Sequence, residues 1–150
     1  MKRLLNTSFF YTILALASGL FYREFTHSQH FTSWTPLSVM HTHSFALGTA
    51  VFLFLLILEK IFAILQNKKF RSFYYLYNFG LLTTLLMLGI RGVTDVLEIQ
   101  LSSGMNAAIS GTAGVAHIVL TLAIIQLFIL LSDVVKNEHK QEEEYYENNH

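Results

Sequence analysis

The chain has 150 residues, of which 53% are hydrophobic and 13% are charged, about half of the charged fraction that is usual in a soluble domain. Ten basic and ten acidic residues cancel, so the formal net charge is zero, and there is no cysteine. The absence of cysteine excludes disulfides, iron–sulfur clusters, thiolate zinc sites and covalent c-type haem. The sequence has no glycine-rich phosphate-binding pattern, which argues against a nucleotide-binding domain, and we expect no nucleic-acid partner.

Four long runs contain no Asp, Glu, Lys or Arg: residues 4–22, 25–58, 72–90 and 99–132. A helix needs about 20 mostly apolar residues to cross the bilayer core. A soluble bundle would instead need a polar stripe on each helix, and the sequence VFLFLLIL at 51–58 has none. We therefore predict an all-α integral membrane four-helix bundle in domain 1–135, with spans near 4–23, 39–60, 74–96 and 109–132.

Basic residues predict the orientation of the spans. Lys2 and Arg3 precede the first span, three more lie between 68 and 71, and Lys136 and Lys140 follow the fourth. Since cytoplasmic loops carry an excess of Lys and Arg, both termini are expected in the cytoplasm. Residues 136–150 then form an acidic cytoplasmic tail, which we predict to be mobile.

The first span begins like a signal peptide, with Ala15-Leu16-Ala17 resembling a cleavage site. The apolar run continues to Tyr22, however, which favours a helix that is retained. Thr7, Tyr11 and Ser18 fall on one face at helical spacing, as expected for a helix packed in a bundle.

The second span starts near Thr35-Pro36, which resembles an N-cap followed by proline in the first turn. It carries His41 and His43, about 200° apart on a regular helix, so only one of them can face a given point. The small and polar neighbours of His41 favour that residue as the inward one, whereas His43 lies deeper, and the sequence leaves the choice open.

The third span begins with Tyr74, Tyr75 and Tyr77, which we assign to the inner membrane interface. Near its outer end, Arg91 and Asp95 are four residues apart and can pair on one helical face. Thr84 and Glu98 lie on the same face. The pair is either a structural ion pair or a clamp for an anion or a haem propionate, because the guanidinium group suits a carboxylate.

The fourth span carries His117, with the small residues Ser110, Gly114 and Thr121 on its face. Small residues permit close approach of helices, so we predict that His117 points into the bundle. It is either a hydrogen-bonded core histidine or a ligand of a metal or haem. His41, His43, Arg91, Asp95 and His117 should all lie in the outer half of the bundle.

Three segments carry a resemblance to a known family: Met40-His41-Thr42-His43-Ser44-Phe45-Ala46-Leu47-Gly48, Arg91-Gly92 with Asp95, and Gly114-Val115-Ala116-His117. The chain resembles, over about residues 1–135, a family of small uncharacterised bacterial membrane proteins defined as a domain of unknown function with four helices. The resemblance implies a bacterial plasma membrane location and no established activity. The pattern His-x-His-x-x-x-Leu-Gly is also similar to the haem-ligand helices of haem–copper oxidase core subunits.

Three hypotheses for function follow. The first is a binding or structural module in the lipid bilayer, with self-association or other membrane proteins as partners. The second is a redox-associated protein that holds haem b or a divalent metal, with His117 and either His41 or His43 as ligands and Arg91 near a propionate. The third is a small anion transporter, working as an oligomer, that binds its substrate through Arg91. No nucleophile–base pair has diagnostic spacing, so we do not expect an enzyme.

Overall fold

The computed structural model describes the backbone of residues 1–149, and this part of the chain is all-helical. Its long helices are α1 (Lys2–Ser28), α2 (Leu37–Phe62), α3 (Lys68–Val96) and α4 (Ser103–Asn149). Each contains a segment that is long and apolar enough to cross a membrane. The predicted all-α membrane fold with four spans is therefore confirmed.

Helix α4 extends beyond the predicted fourth span. It continues through Asn149, so the segment that we predicted to be a mobile tail is helical as far as the described residues reach. Residues 136–149 contain neither proline nor glycine, and their Lys, Gln and Glu residues are good helix formers. A helix already nucleated in the membrane can therefore propagate into this polar segment.

Helix α2 is built from three consecutive parts. Residues Leu37–His43 and Val51–Phe62 are α-helical, and Ser44–Ala50 between them form a π-helix. The start agrees with the prediction: the Leu37 amide donates to Thr35 Oγ1 (3.4 Å), and that hydroxyl donates to the Gly92 carbonyl of α3 (3.1 Å). Thr35 thus lies two residues before the first residue of α2 and joins the start of this helix to α3.

The π-helical part offers backbone carbonyls to the neighbouring helices. Tyr77 of α3 donates its hydroxyl to the Leu47 carbonyl (2.8 Å), and Ser8 of α1 donates to the Thr49 carbonyl (3.1 Å). A π-turn interrupts the regular i→i−4 ladder and so changes which carbonyls are available. These two bonds fix α2 between α1 and α3.

Successive helices pack against each other in chain order. Helix α1 packs on α2, α2 on α3, and α3 on α4, whereas α1 and α4 share no comparable interface. One glycine allows close approach at each of the three interfaces. A methyl group at these positions would lie within 3 Å of the facing helix: Gly48 (2.3 Å from Tyr11 Cγ), Gly92 (2.7 Å from the Leu37 amide nitrogen) and Gly80 (2.9 Å from the Leu120 amide nitrogen).

Aromatic side chains fill the core between the first three helices. Tyr11 stacks on Phe52 at a centroid distance of 5.8 Å, and Tyr77 meets the same ring edge-on. The assignment of Tyr77 to the membrane interface was therefore wrong, because its side chain is 1% exposed. Its hydroxyl is satisfied by the Leu47 carbonyl, so it does not need water. Tyr75, by contrast, is 58% exposed.

Candidate functional site

Arg91 lies on α3, five residues before the helix ends at Val96. Its Nε is 3.6 Å from Asp95 Oδ1, and its Nη1 donates a hydrogen bond to Asn106 Oδ1 on α4. The predicted pairing of Arg91 with Asp95 is present. Within the part of the chain that the structure describes, these contacts leave the Nη2 donors of the guanidinium without a protein acceptor.

A groove of about 170 Å³ runs between α3 and α4 beside this arginine. Thr84 and Arg91 line it from α3, Ser110 and His117 line it from α4, and Pro36 reaches it from the start of α2. The prediction that Thr84 shares a face with Arg91 is consistent with this. The groove therefore brings Arg91 and His117, from two different helices, to one place.

Glu98 does not continue that face. Helix α3 ends before it, and Glu98 adopts a left-handed conformation with a φ of 53°. The extrapolation by helical spacing failed there because the helix had already ended.

His117 is exposed in the single chain rather than enclosed in the bundle, so the predicted inward orientation was wrong. Helix α4 packs on α3 through Ala116, Leu120 and Ala123, which are buried. The face with Gly114 and His117 lies next to this contact. Both the face that packs and the face that does not are rich in small residues, which explains why sequence spacing selected the wrong one.

The hydrogen bonding of His117 determines its tautomer. Its Nδ1 lies 2.8 Å from the Ala113 carbonyl oxygen. A carbonyl can only accept, so Nδ1 carries the proton and Nε2 of the neutral ring is an acceptor. The residue that lines the groove beside Arg91 therefore has its second ring nitrogen, Nε2, free of this backbone contact.

The two histidines of α2 have different surroundings. His41 packs against Gly19 of α1, where a methyl group on the glycine would lie 3.6 Å from His41 Cβ. His43 is half-buried, and its Nδ1 bonds the Val39 carbonyl of its own helix (2.8 Å). Of the two, His41 is the one that faces a neighbouring helix closely.

His41 and His117 do not line the same cavity. His41 lines a cavity between α1 and α2, whereas His117 lines the groove between α3 and α4. Among the residues that the structure describes, no group of three or more His, Cys, Asp or Glu side chains is placed to hold a metal ion. The haem hypothesis paired His117 with His41 or His43, and axial ligands must meet at one iron atom. These cavities give it no support, because His41 lines a different cavity from His117 and His43 lines neither.

Two features of this region were missed by the sequence reasoning. Asn106 completes the surroundings of Arg91, and nothing in the sequence distinguished it from other polar residues near the outer turn. The π-helical Ser44–Ala50 also gave no signal, because its composition is that of an ordinary membrane helix.

Comparison with known proteins places the chain in a family. A family model described as "Protein of unknown function (DUF2871)" matches residues 1–134, so the chain belongs to that family. No curated protein and no solved structure matches it. The family carries no assigned activity, and function must be argued from the side chains.

Proposed function

For this member of a four-helix membrane family, we propose that the chain is a binding module that takes an anionic group into the groove between α3 and α4. The observation that carries the proposal is that Arg91 and His117 line this one groove. Arg91 supplies a permanent positive charge, and His117 lines the same groove from the facing helix.

The polar contacts of Arg91 support an anion rather than a cation. Asp95 approaches only Nε, at 3.6 Å, and Asn106 accepts from Nη1. The remaining donors of the guanidinium can bind a carboxylate or a phosphate, which accept planar paired hydrogen bonds. Asp95 then acts as a positioning residue that keeps the arginine directed along its own helix.

The surroundings of the groove also support binding. Arginine within a membrane span is costly unless it is paired or directed to a cavity. The Arg91 side chain is 39% exposed, so the ion pair with Asp95 leaves much of the guanidinium group accessible to a ligand. The volume of about 170 Å³ fits one small anion or the charged head of a larger molecule.

We further propose that the groove opens on the outer side of a bacterial plasma membrane. The support is the distribution of charge in the sequence: eight of the ten Lys and Arg residues flank the apolar runs at the boundaries opposite to the one near Arg91. The excess of basic residues on cytoplasmic segments then assigns both termini to the cytoplasm.

The test is thermal unfolding of the purified protein in detergent, with sodium propionate, sodium phosphate or neutral propionamide added at constant ionic strength. A ligand at a hundred times its Kd stabilises the folded state by about 2.7 kcal/mol. We expect propionate or phosphate to raise Tm and propionamide to have no effect. The anion that raises Tm more identifies the preferred head group.

The matched variants are Arg91→Gln and Arg23→Gln. Arg23 is paired with Glu24 at 3.7 Å and is exposed, so its loss removes one outer arginine without touching the groove. We expect the anion effect to vanish in Arg91→Gln and to persist in Arg23→Gln. An anion effect of equal size in Arg91→Gln and the unmodified protein would refute the proposal.

A further inference from the structure

A wide recess lies between α1 and α3, apart from the groove of Arg91. Its volume is about 550 Å³. Its lining combines polar side chains with aromatic rings: Arg3, Asn6, Thr7 and Phe10 of α1, and Tyr74 and Asn78 of α3. Among the residues that the structure describes, neither Asp nor Glu lines this Arg3 recess.

The guanidinium of Arg3 is held over an aromatic ring of the facing helix. Its Cζ lies 3.5 Å from the centroid of the Tyr74 ring, an arrangement that attracts a cation to the ring face. Stacking uses the flat face of the guanidinium and leaves the N–H donors at its edge. In the described part of the chain, Arg3 forms no ion pair and its guanidinium donates no hydrogen bond.

The ring beneath Arg3 is itself held in place. Thr7 Oγ1 donates to the Arg3 carbonyl (2.9 Å) and lies 2.6 Å from the Tyr74 hydroxyl oxygen. Because the single hydroxyl proton of Thr7 goes to that carbonyl, Tyr74 is the donor in its bond with Thr7. Tyr74 also meets the Phe52 ring edge-on at 5.8 Å. The guanidinium is therefore positioned before a ligand binds, which lowers the entropic cost of binding.

The hydrogen-bonding groups of the recess favour an anion. Asn78 accepts from the Tyr11 hydroxyl (2.9 Å) and donates to the Tyr74 carbonyl (2.7 Å), so these groups already have partners. The guanidinium of Arg3 and the side-chain amide of Asn6 remain for a ligand. A phosphate accepts paired N–H bonds from a guanidinium.

The position of the recess favours a phosphate that is carried by a lipid. Arg3 directly precedes the charge-free run 4–22, whereas Phe10 lies within that run and is 51% exposed. Helix α1 is long and apolar enough to cross a membrane. The recess thus has a charged end at the membrane boundary and an apolar end towards the hydrocarbon, and basic pockets between membrane helices suit lipid head groups.

We propose that the Arg3 recess binds an anionic phospholipid whose head group carries no amine. The phosphate oxygens accept hydrogen bonds from Arg3 and Asn6, and the upper part of an acyl chain lies against Phe10. A zwitterionic lipid fits less well, because no carboxylate lines the recess to balance its ammonium group. Free phosphate leaves the apolar end of the recess unfilled.

The experiment is native mass spectrometry of the detergent-purified protein, titrated with dioctanoyl-phosphatidylglycerol at about 0.15 M salt, where exposed charges are well screened. Dioctanoyl-phosphatidylethanolamine has the same chains and phosphate but adds an amine, and it is titrated in parallel. Ammonium phosphate is added as a competitor. We expect one saturable site for phosphatidylglycerol, weaker binding of phosphatidylethanolamine, and no displacement by phosphate at equal concentration.

The variants separate the recess from a general attraction to positive charge. Arg3→Gln should weaken phosphatidylglycerol binding about tenfold, the effect of a hydrogen bond to a charged group. Lys2→Gln is the matched control: Lys2 is the exposed neighbour and does not line the recess, so affinity should change by less than about twofold at this ionic strength. Asn6→Leu keeps every charge and should still weaken binding about fivefold. Circular dichroism checks that each variant is folded.

Several outcomes would overturn the proposal. Equal affinity for the two lipids would identify unselective lipid contact, and equal losses in Lys2→Gln and Arg3→Gln would identify diffuse attraction to charge. Displacement by an equal concentration of phosphate would identify a site for free phosphate. Unchanged affinity in Arg3→Gln or Asn6→Leu would also contradict the proposal. Arg91→Gln should leave lipid affinity unchanged, so failure of this proposal and failure of the anion groove can be told apart.

Discussion

Gly48 is the position where one added methyl group should disturb the fold most. In Gly48→Ala the new Cβ would lie 2.3 Å from Tyr11 Cγ and 2.5 Å from Tyr11 Cβ. Rotation of the tyrosine cannot relieve a contact with its own Cβ, so α1 and α2 must separate by about 1 Å to restore an ordinary distance.

The cost follows from what holds Tyr11 in place. Its ring is fully buried and stacked on Phe52, and its hydroxyl donates to Asn78 Oδ1 of α3 (2.9 Å). Moving α1 outward therefore weakens a stack and a hydrogen bond together. We expect Gly48→Ala to lower the free energy of unfolding by ~3 kcal/mol, the upper part of the range for overpacking.

Gly111→Ala is the matched control. Gly111 lies in α4, and nothing lies within 4 Å of the position that its Cβ would take. Alanine is favoured over glycine in a helix by up to about 1 kcal/mol, so this variant should be neutral or more stable. The same chemical change thus has opposite expected signs at the two positions.

The assay is reversible unfolding in mixed detergent–SDS micelles, followed by circular dichroism and by the fluorescence of Trp34, the single tryptophan. The reasoning would be refuted if Gly48→Ala unfolded within about 0.5 kcal/mol of the unmodified protein, the usual range for a substitution without structural consequence. A Gly111→Ala variant as unstable as Gly48→Ala would also refute it, because the loss would then not arise from the contact with Tyr11.

Two further predictions use the same assay. Tyr77→Phe removes the donor of a partly buried hydrogen bond to the Leu47 carbonyl and should lower the free energy of unfolding by ~1–3 kcal/mol, because that carbonyl loses its side-chain partner. Tyr75→Phe, at an exposed position, should have little effect. Equal losses in both variants would contradict this assignment. Lys69→Met breaks the ion pair in which Lys69 Nζ lies 2.5 Å from Asp133 Oδ2. Because the pair is solvent-exposed, the loss of stability should be small and should shrink as salt is added. A loss independent of salt would speak against this assignment.

The existence of the four helices could be predicted from the sequence because membrane spans are defined by length and by the absence of charge. The start of α2 at Thr35-Pro36 was also predictable, since a hydroxyl before a proline is a local signal. Both features are determined by the local sequence and not by contacts between distant parts of the chain.

Which side of each helix packs against its neighbours could not be predicted in the same way. In a soluble bundle the polar side of a helix marks its exposed face, but in a membrane both the lipid side and the core side are apolar. Tyr77 and Tyr75 illustrate this, because two similar residues on one helix have opposite surroundings. His117 illustrates it again, since the small residues near it occur on both sides of α4.

The separation of His41 from His117 depended on the order in which the helices pack. Spacing along the chain brought both residues to the outer half of the membrane, but it carried no information about which helices are neighbours. The structure places α3 between α2 and α4 as a packing partner of both. With this packing, His41 lines one cavity, and Arg91 and His117 line another.

The packing of each helix on its neighbour in sequence has a consequence for how the protein is made. Contacts between adjacent helices have low sequence separation, and a chain with such contacts loses little loop entropy as it folds. The α1–α2 hairpin, with Gly48 against Tyr11 at its centre, can form before α3 and α4 have been synthesised. Folding can then proceed by adding one helix at a time to a partner already in the bilayer, in step with synthesis.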